Sequence, residues 1–113
     1  MRSDGERLQD MIVGIDRILE KTFHGRGPFD RDEMLQVWVL HHLQIIGEAA
    51  RSLSVEFRQR HTERVWSQAA GLRHILVHHY FEIDAEQIWK VVEHDLPALR
   101  ETVLRLLGEE GVH

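Results

Sequence analysis

Three side chains in the second half of the sequence have the types and spacing that acid–base chemistry needs. Arg73, His78 and Tyr80 stand in the order R-x-x-x-x-H-x-Y. They offer a cation, an imidazole that titrates near neutral pH and a phenol. On a regular helix Tyr80 returns to the face of Arg73, whereas His78 lies roughly 140° away from Arg73. A helix that frays or tightens in its last turn would bring all three to one cleft.

These groups suit the cleavage of RNA without a metal ion. The imidazole of His78 can take the proton of a 2′-hydroxyl that attacks its own phosphate. The guanidinium of Arg73 can donate two parallel hydrogen bonds to the phosphate oxygens, where charge accumulates in the transition state. Tyr80 can hydrogen-bond the phosphate or orient the imidazole, and its hydroxyl can accept a covalent modification. The spacing by itself recurs by chance in helical proteins, so its surroundings decide its weight.

The surroundings of the motif resemble the HepT-like branch of the HEPN superfamily. The residues that carry the resemblance are Ala-Gly-Leu-Arg at 70–73, His-x-Tyr-Phe at 78–81, Ile-Ile-Gly-Glu-Ala-Ala at 45–50 and Asp-Leu-Pro at 95–97. The resemblance covers about residues 8–107. It implies a small helical bundle that dimerises and acts as a metal-independent endoribonuclease. It further implies that this ribonuclease is the toxin of a type VII-like toxin–antitoxin pair.

The resemblance also assigns roles to single residues. Arg73, His78 and Tyr80 match the catalytic motif, and Tyr80 would be the residue that an MntA-like minimal nucleotidyltransferase antitoxin adenylylates to silence the toxin. His74 stands where many members of the family carry Asn or Asp. Glu48 lies at a family-like position, where it either orients Arg73 as an ion pair or faces water. No cofactor is implied. An alternative of another class is a catalytically silent HEPN module that docks a nucleotidyltransferase or a nucleotide.

Charge is distributed unevenly along the chain. The formal net charge of −5 is the wrong sign for holding RNA by counterion release. Five arginines and two glutamates between residues 51 and 80 nevertheless give that segment a charge of +3, which leaves −8 for the rest. We expect Arg51, Arg58, Arg60 and Arg64 to bind RNA beside the motif. The alternative is that they form a solvated helix face.

Length and composition limit the class of protein. With 113 residues the chain is expected to form one domain over 1–113, with its core at about 4–107. The sequence has no cysteine, a charged N-terminus and no apolar stretch of the length that a membrane span needs. These features predict a soluble protein of the cytoplasm.

The apolar residues recur with a helical period almost everywhere. A first helix is predicted at about 4–22, with Ser3 or Asp4 as its N-cap, followed by a glycine-rich loop at 24–28. Asp30 and Glu33 predict a capping box for a second helix, which begins at about residue 31 and extends as far as residue 60 with a bend near Ser52 or Ser54.

Two further helices are predicted in the second half. One runs from about residue 63 or 65 to His78 and carries the motif. The other begins after a capping box of Asp84 and Gln87, is kinked or split by Pro97 and ends at Gly108. The whole pattern predicts an all-α fold, an antiparallel bundle of four to five helices.

Nine histidines raise the question of a metal site. His74 and His78 have the spacing of two ligands on one helix face, and His41, His42 or His79 would supply a third. The residues between His74 and His78 include no glutamate of the zinc-protease pattern, and no cysteine completes a structural site. We therefore expect no native metal, and keep a metal-responsive helical protein as a third reading. His41 and His42 are expected at polar positions of the second helix, and three tryptophans are expected in core or interface packing: Trp38, Trp66 and Trp89.

Overall fold

The computed structural model describes residues 2–61, 69 and 84–109. Within these residues every element is helical, which confirms the all-α class. The elements are α1 (Asp4–Lys21), α2 (Arg26–Asp30), α3 (Glu33–Arg51), α4 (Val55–Arg60), α5 (Ala85–Lys90), a π-helical turn called π1 (Val91–Asp95) and α6 (Leu96–Glu109). Of the predicted helix at 63–78 the structure describes residue 69 alone, which is helical and buried in the core.

Helix α1 forms as its sequence predicts. Ser3 caps it, and Ser3 and Glu6 exchange hydrogen bonds of 3.1 Å between side chain and backbone in a complete capping box. The bonds that the Glu6 carboxylate accepts from the backbone N–H and hydroxyl of Ser3 lower the pKa of Glu6. The buried face of α1 carries Leu8, Met11 and Ile15, residues at the three- and four-residue spacing of an amphipathic helix.

The long helices α1 and α3 pack closely and run antiparallel. A Cβ atom on Gly14 would lie 3.0 Å from Cγ1 of Ile46, so a larger residue here would require the Ile46 side chain to shift. Asp4 at the start of α1 is hydrogen-bonded to Ser54, just beyond the end of α3, which sets the antiparallel direction. These contacts confirm the predicted bundle of antiparallel neighbours.

Helix α6 covers another side of α1. Nε of Arg100 donates a 2.6 Å hydrogen bond to Asp16 of α1, and this bond and the charge of Asp16 raise the pKa of Arg100. The apolar residues between the helices form one core cluster, whose largest fully buried members include Phe29, Phe57, Leu43, Ile88 and Leu106. None of the helices among the described residues is long and apolar enough to cross a membrane.

The turn between α1 and α3 differs from the predicted loop. Residues Arg26–Asp30 form the short helix α2, and the side-chain amide of Gln36 donates to the carbonyls of Phe29 and Asp30 at its end. Asp30 therefore belongs to α2, and Asp32 caps α3 by accepting a 3.0 Å bond from the backbone N–H of Leu35. The predicted capping box of Asp30 and Glu33 is wrong because Asp30 is the last residue of α2 and Asp32 is the N-cap of α3.

The predicted second helix is two helices. Helix α3 ends at Arg51, and Ser54 caps the new helix α4 by accepting a 3.0 Å bond from the N–H of Phe57. The sequence located the break at the right serines but predicted a bend rather than a new helix. A serine hydroxyl that caps a new helix satisfies backbone donors that a bend would leave without partners.

Pro97 disturbs its helix as predicted. The preceding turn, π1, is wider than an α-helical turn, and the N–H of Leu96 donates to the carbonyl of Val91, five residues back. The wider turn relieves crowding between the proline ring and the carbonyl of the preceding turn, so the helix is modified and not broken. Gly108 does not end α6, which continues to Glu109.

Candidate functional site

The motif residues Arg73, His78 and Tyr80 lie outside the described residues, as do His74 and Arg64. The structure instead describes what holds the two ends of their segment. His61 precedes it and Asp84 follows it. The contacts that hold the chain just before and just after this segment are called the first and the second anchor.

The first anchor is a polar clamp at the start of α4. The carboxylate of Asp4 accepts hydrogen bonds of 2.8 Å from the backbone N–H of Ser54 and of 2.6 Å from its hydroxyl. The same hydroxyl accepts from the N–H of Phe57, so one serine joins α1 to α4. Bonds that involve an ionised carboxylate are stronger than neutral ones, and these are partly buried. We call this arrangement the Asp4–Ser54 clamp; no local sequence pattern indicated it, because its two residues are fifty positions apart.

Helix α4 presents positive charge next to the motif segment. Phe57 is fully buried and fixes the helix against the core. Arg58 and Arg60 are exposed in its last turn, where cations are favoured by the negative end of the helix dipole. The guanidinium carbon of Arg60 lies 5.9 Å from the centre of the Phe57 ring. Two of the arginines expected to bind RNA are thus held on a short, well-packed helix.

His61 connects the end of α4 to the end of α6. Its N–H donates a 3.0 Å bond to the carbonyl of Phe57, and its ring packs on the Phe57 ring with centres 4.6 Å apart. Its Nδ1 lies 4.0 Å from Oε2 of Glu109, and the other oxygen of that carboxylate, Oε1, accepts a 2.9 Å hydrogen bond from Arg105. The residue that leads into the motif segment therefore contacts two helices. No pattern in the sequence indicated this role for His61.

Glu48 and Arg51 lie together near the end of α3. A carboxylate oxygen of Glu48 is 3.5 Å from a guanidinium nitrogen of Arg51, and both side chains are about half exposed. This pair places the expected RNA-binding Arg51 on the surface. Contact between Glu48 and Arg73 lies outside the described residues, so the expected orienting role stays a prediction.

The second anchor begins at Asp84. Its carboxylate accepts a 3.1 Å bond from the N–H of Gln87 and caps α5, which confirms the predicted start of that helix. Trp89 then packs on Phe29 of α2 with ring centres 5.2 Å apart, and its indole N–H donates to Glu93. Trp89 is therefore a packing residue, as predicted, and it fixes α5 to the opposite end of the bundle from α4.

The described residues offer little to a metal ion. No group of three or more His, Asp and Glu side chains suited to a metal occurs in the described part of the chain. His42 is buried, and its Nδ1–H donates to the carbonyl of Trp38 while its ring packs on the Trp38 ring at 4.1 Å. The expectation that His42 occupies a polar position is wrong because this packing covers it. His41 is exposed, as expected, and Trp38 is partly buried against the core, as predicted; Trp66 lies outside the described residues.

Comparison with known proteins places the chain among relatives that match nearly its whole length. The family model described as Ribonuclease HepT-like matches residues 9–106. The protein named "Putative RNase MJ1380" from Methanocaldococcus jannaschii is 39% identical over 97 residues, which cover 85% of this chain and 89% of that protein. The protein named "Probable ribonuclease HepT" from Thermococcus cleftensis is 35% identical over 103 residues, covering 88% of this chain and 91% of that protein. No solved structure matches.

Proposed function

The chain belongs to the ribonuclease HepT-like family of the HEPN superfamily, and from this membership we propose that it is a metal-independent endoribonuclease toxin that cuts RNA with Arg73, His78 and Tyr80. As a member of this family it is a ribonuclease of the HEPN type. The observation that carries the proposal is the family match over residues 9–106, which encloses the complete R-x-x-x-x-H-x-Y motif.

The proposed reaction uses the RNA's own nucleophile. His78 takes the proton of a 2′-hydroxyl, the 2′-oxygen bonds to phosphorus, and the bond from phosphorus to the 5′-oxygen breaks. The products are a 2′,3′-cyclic phosphate and a 5′-hydroxyl that takes up a proton. Arg73 stabilises the charge on the phosphate oxygens, and Tyr80 positions the phosphate or the imidazole. No step in this route needs a metal ion or a cofactor.

RNA binding is proposed to use the arginines from the end of α3 onwards. Arg51, Arg58 and Arg60 are exposed on successive elements that lead towards the motif segment, and Arg64 continues the series in the sequence. The net charge of the remainder is −8, so RNA is attracted to this part of the surface and repelled elsewhere. The basic segment thus sets where RNA approaches.

Two protein partners complete the proposal. The chain acts as a homodimer in the cytoplasm, and an MntA-like nucleotidyltransferase antitoxin silences it by adenylylating Tyr80. A tyrosine hydroxyl that acts beside a phosphate is a chemically suitable acceptor, because a bulky anionic group there would exclude the substrate. The partner can be tested by intact mass: co-expression with the nucleotidyltransferase should add adenylyl mass to the wild type and none to Tyr80→Phe.

The central experiment is RNA cleavage in EDTA by the wild type, His78→Ala and His79→Ala. We expect the wild type and His79→Ala to cut and His78→Ala to lose at least a hundredfold in rate, the contribution typical of a general base. The neighbouring histidine is the matched control for any structural effect of removing an imidazole. Unmodified, folded wild type that cuts no RNA would support the alternative, a silent module that docks a nucleotidyltransferase or a nucleotide.

A further inference from the structure

The end of α6 brings a basic side chain to the part of the bundle where α4 ends. Arg105 is exposed, and its Nη1 donates a 2.9 Å hydrogen bond to Oε1 of Glu109 in the last turn of α6. The other oxygen of that carboxylate, Oε2, lies 4.0 Å from Nδ1 of His61, which directly follows α4. One carboxylate therefore joins a guanidinium of α6 to an imidazole at the end of α4.

The position between Arg105 and His61 adjoins the surface that is proposed to bind RNA. The ring of His61 packs on the ring of Phe57, and the guanidinium carbon of Arg60 lies 5.9 Å from the centre of that same ring. Arg105 is far from Arg60 in the sequence, so the fold and not the chain order brings it to the end of α4. The structure thus adds a cation of α6 to the arginines of α4.

Glu109 contributes little to the fold from this position. It lies in the last turn of α6, where the negative end of the helix dipole disfavours an anion. The side chains of Glu109 and Arg105 are each about half exposed, and exposed ion pairs four residues apart on a helix add little stability. The carboxylate of Glu109 can therefore leave Arg105 and His61 at a small cost to the folded protein.

A backbone phosphate of RNA has the chemistry to take the place of this carboxylate. Like a carboxylate, a phosphodiester presents two oxygen atoms that share a negative charge, and a guanidinium can bind both through parallel N–H donors. We propose that Arg105, with His61 beside it, binds a backbone phosphate of RNA, and that Glu109 occupies this phosphate position until RNA displaces it. The inference rests on the RNA binding of the proposed function and adds a contact on α6 and an internal competitor.

Removing the cation should weaken the binding of a nucleic acid. The probe is a fluorescein-labelled 2′-O-methyl oligonucleotide, which carries the phosphates of RNA and lacks the free 2′-hydroxyl that cleavage needs. By fluorescence anisotropy over a range of salt, Arg105→Ala should bind a few-fold more weakly, with a slope of log affinity against log salt concentration reduced by about 1. The control Arg100→Ala removes the same charge from the same helix, where Arg100 contacts Asp16 of α1, and should keep the slope of the wild type.

Removing the carboxylate should have the opposite effect. Glu109→Gln should tighten binding about two- to fivefold, because RNA no longer has to break the ion pair of Glu109 with Arg105. The control Glu20→Gln removes the same charge from an exposed position in the last turn of α1 and should change binding much less. In protein that already carries Arg105→Ala, Glu109→Gln should tighten binding no more than Glu20→Gln does, because the carboxylate then has no guanidinium to release.

The outcomes separate this inference from the proposed function. Equal slopes for Arg105→Ala and Arg100→Ala, or equal affinities for Glu109→Gln and Glu20→Gln, overturn the phosphate position even where RNA is cut and His78→Ala is inactive. Wild type that does not bind the oligonucleotide at low salt overturns it as well. The predicted pattern of binding supports it even where the wild type cuts no RNA, and then the ribonuclease proposal fails alone. Circular dichroism checks that each variant is folded, and Arg105→Gln serves where the alanine variant is not.

Discussion

The two ends of the bundle are built in opposite ways. At the end formed by α2, the start of α3 and α5, aromatic packing of Phe29 on Trp89 holds the elements, and Asp32 and Asp84 cap the helices with carboxylates. At the end formed by α4, the Asp4–Ser54 clamp and His61 hold the helix that presents Arg58 and Arg60. We call the first the acidic end, after its two capping carboxylates, and the second the basic end, after its two exposed arginines. The comparison suggests that the acidic end serves the fold and that the basic end also positions the RNA-binding surface.

The largest effect should come from removing the aromatic anchor of each end. Phe57→Ala and Phe29→Ala each delete a fully buried ring and should lower the free energy of unfolding by about 3–5 kcal/mol. Phe57→Ala should also reduce RNA cleavage at temperatures where the protein remains folded, whereas Phe29→Ala should not. Thermal unfolding and cleavage rates check this, and Phe57→Leu serves where the alanine variant does not fold. Equal cleavage loss in both variants would remove the distinction between the ends.

A smaller effect is expected from the Asp4–Ser54 clamp. Asp4→Ala removes the acceptor of two partly buried bonds and should lower the free energy of unfolding by about 1–3 kcal/mol, measured by urea denaturation. The control Asp10→Ala breaks only an exposed ion pair with Arg2 and should change stability much less. If the two variants were equally stable, the clamp would not hold α4.

The helix cap at the basic end should contribute more to stability than the helix cap at the acidic end. Asp32→Ala removes one capping bond at the acidic end and should cost about 1 kcal/mol of stability. Ser54→Ala should cost more, because the hydroxyl of Ser54 both caps α4 and donates to Asp4. Calorimetry of the two variants shows which loses more stability, and a larger loss of stability for Asp32→Ala would contradict this prediction.

The smallest effect concerns single arginines. Arg58→Ala should weaken RNA binding a few-fold. It should also reduce the slope of log affinity against log salt concentration by about 1, because one phosphate contact is lost. Arg26→Ala, at the acidic end in an exposed pair with Asp30, is the matched control and should leave both unchanged. Fluorescence anisotropy over a range of salt measures the two slopes. Identical slopes would place the RNA elsewhere on the surface.

Features written locally in the sequence were predicted well. The apolar period and Ser3 predict α1, and Asp84 predicts the start of α5, because caps depend on residues three positions apart. Pro97 predicts a disturbed helix, although the sequence did not predict that the disturbance takes the form of a π-helical turn. Helix α2 was missed because five residues with a glycine and a proline carry no clear helical period.

Features that join distant residues were not predictable in the same way. The Asp4–Ser54 clamp and the contact of His61 with Glu109 join residues about fifty positions apart, and no periodic pattern marks them. The burial of His42 follows from its packing on Trp38, which a hydrophobicity pattern treats as a polar interruption. For the site, the motif, its basic neighbours and the Asp84 cap could be recognised from the sequence, whereas the Asp4–Ser54 clamp and the contacts of His61 could not.

The most direct test of the central claim is whether the RNA supplies its own nucleophile. An oligonucleotide cut at a mapped site is synthesised again with a single 2′-deoxy nucleotide at that site, and both are treated with the protein in EDTA. The account predicts that the all-RNA substrate yields a 2′,3′-cyclic phosphate and a 5′-hydroxyl, and that the substituted site is not cut. Cleavage at the 2′-deoxy site, or activity that vanishes in EDTA and returns with a divalent cation, would contradict it.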